Sequence, residues 1–209
     1  MNIIIIGTGA VASELQWFDM DIKGYLEFDY NIEKYWKRYQ LKEPILGDID
    51  SYEIQEDDRF VIGMTNIEFR WKMIEKMKAR GGKFINLLHP LAIIQEPSVM
   101  GEGNIVHPYV MIGANTEIGD FNHFCPQSII GHDCKVGNNN VLSATILCGH
   151  VSVNCNNFFG IRTAVAPHIR IGRDNGIHAG MTVDKDIENN TLLTYEPITK
   201  VVVSNYHSK

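Results

Sequence analysis

Stepping by six from Ile94 lands on Met100, Val106, Ile112, Ile118, Phe124, Ile130, Val136, Leu142 and Cys148, and every one is apolar. After one five-residue step the series resumes at Val153 and continues by six through Phe159, Val165, Ile171, Ile177 and Val183. At an apolar content of 44%, such a run arises by chance on the order of once in half a million trials. Glycine follows many of these apolar residues, at 101, 113, 119, 131, 137, 149, 160 and 172, where a tight turn bends the backbone. The fourth residue after each is usually small or polar, as in Asn104, Thr116, Asn122, Ser128, Asn140, Ser152 and Asn157, which suits a cramped interior corner. The pattern predicts a solenoid of very short strands. One turn alone cannot bury its inward residue, but stacked turns bury a continuous apolar column and pair their backbone groups.

Ahead of the repeat the chain alternates strand and helix. Asn2–Ile6 reads as a buried strand, "GTGAVASEL" opens a helix, and a strand follows near Gly24–Phe28. Helical spacing recurs over Asn31–Gln40 and over Asn66–Arg80, with strands at Phe60–Met64 and Lys83–Leu88. His89-Pro90 marks a boundary between a small βαβ domain with a mainly parallel sheet (1–89) and the solenoid (90–209). Gly7, Thr8 and Gly9 stand between a strand and a helix, where free N–H groups and a helix dipole can hold phosphate. As a full dinucleotide fingerprint the segment fails, because Ala12 occupies the third position. Glu27 and Asp29, just after the second strand, are candidates to accept hydrogen bonds from a ribose or base.

Bulk properties narrow the partners. A net charge of -6 with no basic run speaks against nucleic acid or a membrane surface. The opening "MNIIIIGTGA" is too short an apolar run for a signal peptide or a membrane span, so a cytoplasmic protein is expected. Cys125, Cys134, Cys148 and Cys155 contain no C-x-x-C pair, and packed, reduced thiols are expected.

Units such as "IGANTE", "IGDFNH", "IGHDCK" and "VGNNNV" resemble the hexapeptide-repeat acyltransferases. That resemblance implies an α/β Rossmann-like domain followed by an all-β left-handed parallel β-helix, with three units per coil and three chains per trimer. The segment Ser128–Gly137, "SIIGHDCKVG", is similar to the bacterial sugar acetyltransferases that act on nucleotide-linked 4-amino sugars (bacillosamine, perosamine and viosamine type) or on sialic acid hydroxyls. By that likeness His132 is the catalytic base and Asp133 its acidic neighbour. "LCGHVSV" would make Gly149 the oxyanion donor. Acetyl-CoA is the implied co-substrate, with His150, Gly160, Ala179 and Gly180 as its contacts. A nucleotide-linked amino sugar is the implied partner, and Cys125 stands where the family often has a substrate-binding Asn. The expected reaction is direct N-acetylation of a sugar amine, without an acyl-enzyme.

Two other classes remain open at this point: O-acetylation of a sugar hydroxyl, and a non-catalytic nucleotide-sugar-binding β-helix. A metal cofactor is not expected. The zinc-dependent β-helices need a His pair five residues apart, and His107, His123, His132, His150, His168 and His178 contain none.

Overall fold

The computed structural model describes residues 1–28 and 37–195. Its N-terminal part is a parallel sheet in the order β3-β2-β1-β4, with β1 at Asn2–Ile6, β2 at Ile22–Glu27, β3 at Ile45–Asp48 and β4 at Asp58–Ile62. Central β1 is almost all isoleucine because both of its faces are covered. Ile3 and Ile5 pack with Leu15, Tyr25 and Val61, while Ile4 and Ile6 pack with Phe60, Ile74 and Met77. A five-residue helix, α1 (Ala10–Glu14), follows the Gly-Thr-Gly loop, and α2 spans Ile67–Ala79. The Asn66 side chain caps α2 by accepting the Phe69 N–H at 2.9 Å. At the other end Gly81 turns left-handed (φ 85) and the Gly82 N–H returns to the Met77 carbonyl at 2.8 Å.

Three details differ from the sequence reading. Strand β3 was not expected, because it is short, only partly buried and interrupted by Gly47. The strand expected over Lys83–Leu88 divides between two sheets. Phe84 bridges Phe60 in the N-terminal sheet, while Leu87–Leu88 pairs with Ile105–Val106 as the first rung of the solenoid. Of the helical stretch expected over Asn31–Gln40, Lys37–Tyr39 is helical and 31–36 lies outside the described residues.

The solenoid is a three-sided parallel β-helix of two-residue strands. Sheet I stacks Leu87–Leu88, Ile105–Val106, His123–Phe124, Val141–Leu142, Phe158–Phe159, Gly176–Ile177 and Leu192–Leu193. Sheet II stacks Ile93–Ile94, Met111–Ile112, Ile129–Ile130, Ile146–Leu147, Ala164–Val165 and Thr182–Val183. Sheet III stacks Val99–Met100, Glu117–Ile118, Lys135–Val136, Ser152–Val153 and Arg170–Ile171. From Val106 onward the second residue of each strand points inward and forms one buried apolar column through Val183. At the corner leading from sheet III to sheet I, Asn104, Asn122, Asn140 and Asn157 form a ladder. Each Oδ1 accepts the backbone N–H of the corresponding Asn one coil on, at 2.8 to 3.0 Å. A buried polar corner is thereby satisfied without water.

From Tyr109 to Asp174 each corner contains one residue in the left-handed backbone region: Tyr109, Asn115, Phe121, Gln127, Asp133, Asn139, then Ala144, His150, Asn156, Arg162, His168 and Asp174. The spacing is six throughout except for the five-residue step from Asn139 to Ala144. The short unit therefore lies between Leu142 and Leu147, one unit earlier than the apolar period suggested. The inward residue is Leu147, fully buried, and Cys148 is only half-buried. Ile129 pairs with Ile146 and Ile130 with Leu147, 17 residues on, whereas His123 pairs with Val141, 18 on. Val151 rather than Ser152 is the fully buried corner residue of the next unit.

The N-terminal domain covers part of this prism. On sheet I the outward residues Leu87, Ile105, His123 and Val141 are buried, while Phe158 and Leu192 further along are exposed. Phe121, at the III–I corner, meets the rings of Phe84 at 5.0 Å and Trp71 at 6.2 Å.

Candidate active site

The open corner between sheets II and III holds the strongest chemistry. Ile129–Ile130 ends in Gly131, the chain turns through His132 and left-handed Asp133 (φ 56), and Lys135–Val136 begins the next face. Asp is one of the few residue types that accept this backbone region readily. His132 Nδ1 lies 2.6 Å from Asp133 Oδ2, and the Asn115 amide, one coil away, donates to Asp133 Oδ1. These bonds, that from His132 first, hold the Asp133 carboxyl below its ordinary range. With an ionised carboxylate at that distance the ring proton sits on Nδ1, which leaves the Nε2 lone pair free as a base.

The short unit decides what lies against His132. In a regular 18-residue coil His150 would stand in register with His132; with one residue missing, Gly149 does. A Cβ built on Gly149 would lie 2.7 Å from His132 Nε2 and 2.8 Å from Cε1, so only glycine fits beneath the ring as it stands. The Gly149 N–H has no hydrogen-bond partner among the described residues, while its neighbours Cys148 and His150 donate to Val165 and His132 carbonyls. A free amide beside a histidine base is the arrangement an oxyanion site needs.

His150 is displaced accordingly into the column of Asp133. Its Nε2 is 3.9 Å from Asp133 Oδ2, its ring meets His132 edge-on at 5.1 Å, and it stacks on His168 at 4.7 Å with an interplanar angle of 5°. Asn115 and His168 were not singled out in the sequence. Both belong to the column 115, 133, 150, 168, which becomes visible only when the register of the coils is known.

Gly160, Ala179 and Gly180 lie on the other edge of sheet II, at the I–II corner. Gly160 and Ala179 line an apolar cavity of about 660 Å³ with Phe158, Ile161, His178 and Leu192. The Gly180 carbonyl accepts the Tyr195 hydroxyl and its N–H donates to Ile161. Cys125 shares this edge, 4.0 Å from the Ser143 hydroxyl. Burial pushes its thiol up to about 11, so it is neutral and no nucleophile at neutral pH.

At the carboxyl end of β1, Gly7 takes φ 102 and donates to the Leu26 carbonyl at 2.8 Å. Glu27 is buried, 6% exposed, and its carboxylate is hydrogen-bonded within its own chain. Oε2 accepts the Thr8 N–H at 3.0 Å and the Thr8 hydroxyl at 2.9 Å, and Oε1 accepts the Phe28 N–H at 2.9 Å. Glu27 and Thr8 thereby brace the loop, and Gly9 keeps an N–H with no partner among the described residues. Asp29 lies outside the described residues, as does the stretch after Tyr195. Among the described residues no helix is long and apolar enough to cross a membrane.

No family model matches this sequence, and no curated protein matches it significantly. Solved structures do. Perosamine N-acetyltransferase PerB from Caulobacter crescentus, solved with CoA and GDP-perosamine, is 26% identical over 92% of this chain and 93% of its own, with a TM-score of 0.81. WeeI from Acinetobacter baumannii (18% identity, 93% and 97% coverage, TM-score 0.80) and the acetyltransferase domain of PglB from Neisseria gonorrhoeae (18%, 91% and 95%, 0.78) share the fold. The likeness extends over both domains and includes the left-handed sense of the β-helix. With His132 held by a carboxylate above a free glycine amide, and with this architecture end to end, the chain is a hexapeptide-repeat acyltransferase built on the two-domain plan of the sugar acetyltransferases.

Proposed function

We propose that the protein transfers the acetyl group of acetyl-CoA to the amine of a nucleotide-linked 4-amino-4,6-dideoxy sugar. The observation that carries this reading is the pairing of His132 Nε2 with the unpartnered Gly149 N–H across one coil boundary. It is supported by whole-chain likeness to an enzyme solved with CoA and GDP-perosamine. As the amine attacks the acetyl carbonyl, His132 Nε2 removes its proton. Asp133 stabilises the imidazolium so formed, and the Gly149 N–H faces the negative charge developing on the carbonyl oxygen. The attack is direct in this reading, with both substrates held at once and no acyl-enzyme formed. The loop Gly7–Gly9, stiffened by Thr8 and Glu27, holds the nucleotide's phosphates.

The working unit is a homotrimer in this reading. Down sheet II the outward positions Ile93, Met111, Ile129 and Ile146 are all exposed and apolar, and a row of that kind is buried when another copy packs on it. Sheet III presents Val99 and then Glu117, Lys135, Ser152 and Arg170 in the equivalent positions, as suits a face left mostly in water. Packing through sheet II brings the His132 edge of one subunit near the Gly160–Ala179 edge of a neighbour, and acetyl-CoA lies in the groove between them.

The test is release of free CoA thiol from acetyl-CoA with UDP-, dTDP- and GDP-linked 4-amino sugars and with free sialic acid. Release with an amino sugar and a product carrying an N-acetyl group is expected. Release with sialic acid alone would replace N-acetylation by O-acetylation, and release with none would sink the transferase reading.

A further inference from the structure

The II–III corner brings together three donors that the sequence keeps apart. One nitrogen of His132, one of His150 and a carboxylate oxygen of Asp133 all lie within 4.8 Å of one another. His132 Nδ1 to Asp133 Oδ2 is 2.6 Å and Asp133 Oδ2 to His150 Nε2 is 3.9 Å. These distances bracket the separation of about 3.3 Å between neighbouring donors on a tetrahedral ion bound at about 2.0 Å. The set is also held in place. Asp133 and His150 occupy the left-handed corner positions (φ 56 and 61), Asn115 fixes the second carboxylate oxygen, and His168 stacked beneath His150 orients that ring. His132 and His150 are open to solvent, which leaves coordination positions for water.

We propose that this corner is a regulatory site for an exchangeable divalent transition-metal ion of the imidazole-preferring class, Zn2+, Ni2+ or Cu2+, and that the ion inhibits. It is distinct from a cofactor, because its effect is to withdraw the base. An ion bound at His132 Nδ1 takes the place of the proton there. The neutral ring then carries that proton on Nε2, where the proposed acetyl transfer needs a lone pair. No bond to substrate is made or broken, and the carboxylate that steadied Nδ1–H becomes the second ligand. The inhibitory half of the proposal rests on the acetyltransferase reading, whereas the binding half does not.

Untagged protein titrated calorimetrically with Ni2+ at neutral pH should take up one ion per chain. His150→Ala and, separately, His132→Gln should each weaken binding about tenfold or more, with unchanged thermal midpoints showing that the coils remain folded. His178→Ala, which removes an exposed imidazole on the other edge of sheet II, should leave binding as it was. No uptake in the millimolar range, or uptake indifferent to both His150→Ala and His132→Gln, would overturn the site. In the thiol-release assay Ni2+ should inhibit with the midpoint found by calorimetry, and EDTA should restore the rate. Full activity at saturating Ni2+ would overturn the inhibition while leaving the site. Should no sugar be acetylated at all, calorimetry still decides the binding question.

Discussion

Two corners of the same solenoid, made by the same backbone, have opposite fates. At the III–I corner the left-handed positions carry Phe121, Asn139, Asn156 and Asp174; at the II–III corner they carry Asn115, Asp133, His150 and His168. The first is partly covered by the N-terminal domain, where Arg70 of α2 is fully buried and donates to Asn139 at 3.1 Å, and Asn139 in turn donates to the Ile67 carbonyl. The second stands open. Backbone geometry therefore does not decide what a corner does, since both corners have it. The side chains placed on that shared backbone decide, because they project from a rod whose interior is otherwise uniform.

The comparison can be broken at either corner. On the open one, His132→Ala should lower kcat by about 10²- to 10⁴-fold with no change in thermal midpoint; loss of folding instead would make His132 structural. Gly149→Ala should cost about 10²-fold in kcat, since its methyl displaces the ring, and an active Gly149→Ala enzyme would remove that residue from the site. On the covered side the effects should appear in stability. From an ordinary value of 6.5, burial holds His107 down at about 4 and holds His123 well below. Folding therefore favours the neutral rings, so their contribution is complete above about 6.5 and is lost as pH falls toward 4. His107 alone should account for a loss on the order of 3 kcal/mol at that lower limit, measured as thermal midpoints against pH and flattened in His107→Gln.

Smaller effects sharpen the contrast further. The Arg70 guanidinium is buried with Nε and Nη2 unpartnered among the described residues, so Arg70→Met should stabilise by about 1–4 kcal/mol, read by denaturant unfolding; destabilisation would show that the buried charge is compensated. Asn115→Ala should change kcat/KM less than about tenfold. Without its hydrogen bond the Asp133 carboxyl rises toward its ordinary range, held below it mainly by His132.

The solenoid was legible because its fold is a one-dimensional code, in which an inward residue recurs every six and nothing distant is needed to bury it. His132 and Asp133 were legible as neighbours in one turn. Gly149 and His150 were named from the resemblance, but Asn115 and His168 were not, because their proximity to Asp133 and His150 depends on coil register, and register turns on a choice the apolar pattern cannot make. Leu147 and Cys148 are both apolar, so either could have pointed inward. Arg70 was hidden for a different reason. A charged residue on an amphipathic helix reads as solvent-facing, and only the docking of α2 against a second domain buries it. Glu27 has the residue type and place of a ligand-binding carboxylate, but Thr8, 19 positions earlier, takes up its oxygen.

The five-residue unit between Leu142 and Leu147 works as a vernier. A globular core has no equivalent, since losing a residue there disturbs every neighbour. Here the inward column closes over the gap, and only the outer scale slips by one mark against the coils before it. Which group faces His132 is thus set by a length, not by a substitution. A one-codon insertion at a distant corner would exchange glycine for histidine beneath His132 while leaving every residue around it unaltered.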